Sequence, residues 1–93
     1  MADAYDVIVI GGGHNGLVAA AVLAGEGLRV LELERRGQVG GAAVTEEVFP
    51  GFRVSTASYL VSLLQRKVVD ELELERFGYR ADPKDPASFS LYP

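Results

Sequence analysis

The sequence predicts an α/β fold built on a parallel βαβ core, and three observations predict it. A short β-branched run, YDVIVI at Tyr5 to Ile10, leads straight into three glycines. An alanine- and leucine-rich stretch without proline follows, from Asn15 to about Gly25. A second strand-like run, RVLELE, then covers Arg29 to Glu34. The stretch between the two runs is long enough for a crossover helix, so the strands are expected parallel with a right-handed connection.

Each element has its own local reason. Val7 to Ile10 is apolar on both faces, the pattern of a strand covered on both sides. Gly11, Gly12 and Gly13 end it. The helix consists of good helix formers and has no polar stripe, so it is expected to be covered on more than one side. Glu26 and Gly27 close it, glycine being the usual residue just past a helix. Glu32 is the odd residue of the second strand and belongs on a covered face or at an edge.

Beyond that core, Gly37 to Thr45 reads as a glycine-rich loop leading into Glu46 to Phe49. Pro50-Gly51 is a turn signal, and Phe52 to Val54 is the returning piece of a short extended pair. Thr56 to about Phe77 reads as a helical segment with a break near Gln65 to Lys67. Leu60, Leu63 and Leu64 make its apolar stripe, continued by Val68, Val69, Leu72 and Leu74. Gly78 ends it, and Pro83, Pro86 and Pro93 mark an extended loop.

Composition narrows the function classes. The 93 residues are 48% hydrophobic and 24% charged, a globular balance with room for one small domain. There is no cysteine, which excludes a disulfide, a thiolate metal site and a thiol nucleophile. The formal net charge of −4 argues against a nucleic-acid partner. Arg35 and Arg36 are too few for a nucleic-acid or membrane patch. The apolar runs at Val7 to Ile10 and Leu17 to Ala24 are too short for a signal core or a membrane span, so a cytoplasmic location is expected.

The first chemical motif is Gly11-x-Gly13-x-x-Gly16. Gly11 permits the tight turn out of the strand. Gly13 lets a pyrophosphate approach the backbone. Gly16 lets the helix pack close to the sheet, and Ala20 one turn later keeps that packing possible. The helix amino terminus offers N–H groups and a positive dipole end to phosphates. Gly12, His14 and Asn15 belong to the same loop and are counted with the binding residues, Asn15 also as the helix cap. Glu34 ends the second strand, where a carboxylate accepts hydrogen bonds from both hydroxyls of an adenosine ribose. The whole is a partial Rossmann-like FAD/NAD(P)-binding fold. A carboxylate at that place repels a 2′-phosphate, so NADP is disfavoured, while FAD and NAD both remain open.

The second motif is Gly40-Gly41-Ala42-Ala43-Val44-Thr45. With YDVIVIGGGHNG, LERR and VGGAAVTEEVFPGF in one chain, the sequence resembles the phytoene-dehydrogenase-like flavoproteins. It is most similar to their pyridine nucleotide-disulfide oxidoreductase domain-containing branch. The resemblance extends over nearly the whole chain, to PASF near Ser88. It implies FAD as cofactor, with Gly11, Gly13 and Gly16 at the pyrophosphate, Glu34 at the ribose and Arg35 near the adenine. It also implies that Gly40, Gly41 and Thr45 match the family's second flavin motif. Ala42 stands where many relatives have arginine, which shifts the pyrophosphate onto backbone N–H groups.

The resemblance further implies that residues 1–93 are the amino-terminal part of an FAD/NAD(P)-binding domain whose substrate domain is absent. The intact enzyme would dehydrogenate or isomerise a small apolar, carotenoid-like substrate by hydride transfer to flavin, and the isolated chain would be inactive. Apolar surface meant for missing parts would drive self-association of the fragment. Two alternatives stay open at this point, an NAD-binding Rossmann-type module and a non-enzymatic interaction module derived from a dinucleotide fold.

No catalytic residue and no metal ligand set is expected. His14, the single histidine, has no proton-carrying partner near it in sequence. Ser55, Ser58 and Tyr59 read as a turn and helix cap, not as a nucleophile site. Glu71, Glu73 and Glu75 point in different directions on a helix and read as a solvated face.

Overall fold

Two parallel strands and the helix that joins them form the first unit of the computed structural model, which describes residues 4–58, 60–61, 63–86 and 88–92. Strand β1 is Val7–Ile10, helix α1 is His14–Gly25 and strand β2 is Val30–Leu33. The register pairs Val7 with Val30, Ile8 with Leu31, Val9 with Glu32 and Ile10 with Leu33. Backbone bonds from Asp6 N to Arg29 O and from Gly11 N to Leu33 O, both 2.8 Å, extend the pairing at each end. The parallel βαβ core is therefore as the sequence predicts, slightly shorter in each strand.

The end of α1 is fully determined by local chemistry. Leu28 N reaches back to Leu23 O at 3.3 Å, and Gly27 N to Ala24 O at 3.0 Å. Gly27 has φ +90°, the left-handed conformation this double bond pattern requires. The start of α1 differs from expectation. Gly13, with extended backbone, holds the cap position and no side chain caps the helix. Asn15 consequently lies inside the first turn, where its side chain is beyond reach of the cap role.

Coverage also differs from expectation. Helix α1 packs on the face of the sheet that carries half-buried Val7 and Val9. On the other face Ile8 and Ile10 are exposed, Ile10 at 86%. No residue of α1 is fully buried either. Among the described residues the sheet is covered on one side only and the helix on one face only, where the sequence pattern predicts that both are enclosed.

The second unit is the hairpin of β3, Thr45–Phe49, and β4, Phe52–Ser55, antiparallel with an irregularity between Glu47 and Phe49. Pro50-Gly51 makes the turn, with Gly51 at φ +84° and its N–H on Glu47 Oε1 at 2.6 Å. Ahead of it, Gly41–Ala43 forms one 3-10 turn inside the glycine-rich loop. The extended pair is thus as expected.

The long helix from Thr56 to Phe77 is not formed. Helix α2 is only Arg66–Glu71, followed by a 3-10 turn at Leu74–Phe77 that ends at Gly78. The break expected near Gln65 to Lys67 is instead the helix start, Gln65 being its extended cap residue. Ser55 Oγ accepts the Ser58 N–H at 3.1 Å and donates to Ser58 O at 2.6 Å. The second bond engages a carbonyl that a helix continuing from here would use. The turn reading of Ser55 to Ser58 therefore holds without a helix to cap, and Tyr59 lies outside the described residues. Of the expected stripe, Leu60 and Leu63 are exposed and Leu64 is half-buried. Val69 is buried at 3%, with Val68, Leu72 and Leu74 half-buried around it. Glu73, left-handed at φ +51°, separates α2 from the 3-10 turn. Glu71, Glu73 and Glu75 are exposed; Glu75 pairs with Arg66 at 2.9 Å and Glu73 with Arg76 at 3.5 Å.

Among the described residues no helix is long and apolar enough to cross a membrane, and no group of three metal-ligating side chains occurs.

Candidate functional site

Two glycine segments that are far apart in sequence lie side by side at the carboxyl end of the parallel strands. Gly40 N donates to Gly12 O at 2.7 Å, and Gly13 and Gly40 form a parallel bridge. A methyl group added to Gly41 would stand 2.9 Å from Gly13 Cα, so the two backbones touch only because neither residue has a side chain. Val44, buried at 4%, supports the second segment from below, 3.4 Å from where a Gly40 side chain would begin. The result is a cradle in which the two glycine backbones meet directly.

Gly16 has the most demanding packing of the first motif. A Cβ there would lie 2.0 Å from Gly11 O, which no side chain tolerates. The first turn of α1 is therefore pressed against the exit of β1, and its amino terminus faces the cradle. Leu17 N is bonded to Gly13 O at 2.9 Å, so the N–H groups before it start the helix without a carbonyl four residues back inside it. Those groups and the positive end of the helix dipole favour an anion.

Glu34 is anchored to the first segment. Its Oε2 accepts the Gly12 N–H at 2.6 Å and its Oε1 accepts the Arg36 N–H at 3.1 Å. The Arg36 backbone bond, then that from Gly12, hold its carboxyl below the usual range against a smaller opposing effect of burial. The carboxylate is thereby fixed in orientation and charged. Each oxygen keeps acceptor capacity, since an ionised carboxylate offers about four lone-pair sites and two are used.

The remaining expected site residues are placed around this centre. His14 opens α1 and is exposed, and Asn15 follows it, also exposed. Arg35 is exposed just beyond Glu34. Ala42 lies exposed in the 3-10 turn, and Thr45, exposed, opens β3. So Gly11, Gly12, Gly13, Gly16, Glu34, Gly40 and Gly41 are brought together, while His14, Asn15, Arg35, Ala42 and Thr45 are exposed near them in sequence.

Three contributors are not apparent from the sequence. Val39 packs against Gly12, 3.2 Å from where its Cβ would be. Val44 reads only as part of its motif. Arg36, in sequence merely half of a basic doublet, bonds Glu34 through its backbone and forms an ion pair with Glu46 through its guanidinium. Glu32 has its own peculiarity. Its Oε1 is buried without a hydrogen-bond partner among the described residues, 3.2 Å from where a Gly16 side chain would begin. The covered-face expectation for Glu32 holds, and the layer that covers it is α1.

The sequence has counterparts among known proteins. The family model described as an NAD(P)-binding Rossmann-like domain matches residues 9–72. Pyridine nucleotide-disulfide oxidoreductase domain-containing protein 2 of Mus musculus is 54% identical over 86 residues, 92% of this chain and 15% of the mouse protein. A limonene dehydrogenase polypeptide of Castellaniella defragrans is 50% identical over 74 residues, 78% of this chain and 13% of that protein. A flavin-containing amine oxidase of Danio rerio is 57% identical over 44 residues, 47% of this chain and 8% of the oxidase. The chain thus spans about 15% of the length of the mouse relative.

Proposed function

We propose, for a chain that belongs to the NAD(P)-binding Rossmann-like domain family, that its glycine cradle holds the ADP half of FAD. One observation carries this reading. The second glycine pair, Gly40-Gly41, is bonded directly against Gly12-Gly13, and the Glu34 carboxylate is anchored on Gly12. A nicotinamide-type βαβ motif needs only the first glycine segment and the acid. Here a second backbone wall stands where a pyrophosphate would rest at the α1 amino terminus. The flavin-containing amine oxidase among the relatives supports the same choice.

In this reading the backbone N–H groups of α1 and of the 3-10 turn bind the pyrophosphate. Glu34 accepts the ribose hydroxyls, its charge rejects a 2′-phosphate, and Arg35 lies near the adenine, where a guanidinium stacks on an aromatic ring. His14, Asn15, Ala42 and Thr45 border the cofactor. When bound, flavin supplies hydride acceptance. The chain is then the amino-terminal part of a longer FAD-dependent oxidoreductase of the phytoene-dehydrogenase-like branch. Its substrate would be apolar, as the name of the limonene dehydrogenase relative suggests. The segment from 1 to 93 contributes binding and no catalytic group, so by itself it is inactive.

Titration of the chain with FAD, NAD and NADP tests the ligand. FAD is expected to bind tighter than NAD, and NADP weakest. Tighter NAD binding would reverse the choice of cofactor and leave the nicotinamide-binding module as the reading.

A further inference from the structure

We propose that Glu46 is a positioning residue for the Glu34 carboxylate, acting through Arg36. The inference rests on the reading of Glu34 as the ribose-binding acid. Its starting point is that one of the two bonds fixing Glu34 comes from the backbone of Arg36, in the irregular stretch between β2 and the Gly41–Ala43 turn. Nothing in the regular structure of β2 holds that N–H in place. The Arg36 guanidinium does so by forming an ion pair with Glu46 on β3. Glu46 is in turn fixed in register opposite Val54 in the hairpin. A chain of contacts therefore runs from the β3–β4 ladder through Glu46 and Arg36 to Glu34 and on to Gly12.

Charge gives the contact a second effect. The Arg36 cation lies close enough to Glu34 to favour its ionised form. Released from Glu46, the guanidinium would be free to turn onto Glu34. It would then occupy the lone pairs the ribose hydroxyls need. Glu46 keeps the cation on β3 and leaves those lone pairs open. Arg36 is 47% exposed in its side chain, and ion pairs of that exposure contribute little to stability. The pair is therefore a device for orientation, and its loss should be read in recognition and not in folding.

The test compares ADP with 2′,3′-dideoxy-ADP as probes of the full chain, by calorimetric titration. In the unsubstituted chain ADP is expected to bind about a hundredfold tighter or better, the effect of two hydrogen bonds to a charged group. Glu34→Ala should bring the ratio near one. Glu46→Ala should lower it by about threefold or more while melting temperature and dideoxy-ADP affinity stay unchanged, a split that a merely structural role would not produce. If Glu46→Ala fails to fold, Glu46→Gln, which keeps the side-chain length and removes the charge that holds Arg36, is read in the same way. An unchanged ratio in Glu46→Ala, with the ratio lost in Glu34→Ala, would overturn the inference alone. An unchanged ratio in Glu34→Ala would overturn the ribose reading itself.

Discussion

Glu34 is the residue on which recognition and stability meet. Two backbone N–H groups bond its charged form, those of Arg36 and Gly12, and hold its carboxyl below the ordinary value of 4.5. A carboxyl depressed in the folded state contributes stability above its unfolded value, and that contribution is lost as pH falls through the folded one. Acid unfolding monitored by circular dichroism should therefore show an extra loss of stability below about pH 4.5. Glu34→Gln should remove that extra loss; an identical acid profile in the variant would contradict the assignment. The acid itself is legible in the sequence, because it stands where the second strand ends after a glycine motif. Its fixing partner is not. Arg36 and Glu46 are ten residues apart, and only the path of the loop after β2 brings them together.

At the scale of elements, packing at α1 sets the geometry of the whole cradle. The distance of 2.0 Å between a Gly16 Cβ and Gly11 O means that Gly16→Ala must push the helix off the strand exit. Chemical denaturation should show a loss of about 1–3 kcal/mol, the usual cost of overpacking. A variant as stable as the parent would show that the helix does not sit this close. The βαβ core is readable because β-branched runs, a proline-free alanine-rich stretch and Gly27 each favour one local state, and the three agree. The segment from Thr56 to Phe77 departs from its sequence pattern for a physical reason. Its apolar spacing suits a helix, but the Ser55 hydroxyl engages the Ser58 carbonyl and Glu73 turns left-handed, and neither is visible in a hydrophobic period. Spacing records which side chains want cover, not which backbone bonds form first.

For the whole molecule the deciding quantity is exposed surface. The chain exposes 8014 Å², against about 5,200 Å² expected for a self-contained protein of its mass. Its longest dimension is 67 Å. The excess lies on the open sheet face, on the hairpin with Phe49 and Phe52, and on Phe77, Phe89 and Leu91. Such surface supports the proposal that the segment packs against further chain in a longer protein. In isolation it should associate with itself. Sedimentation velocity is expected to show mass rising with concentration, and a monomer throughout would contradict that.

Everything proposed for the ligand depends on two glycine segments forming one cradle for the ADP half of a flavin dinucleotide. Amide chemical shifts followed by NMR during addition of FAD examine both segments at once. The N–H signals of Gly12, Gly13 and Gly16 and those of Gly40 and Gly41 are expected to shift together, along one saturation curve. Shifts confined to the first segment, with Gly40 and Gly41 unmoved, would show that the second segment is no part of the binding site.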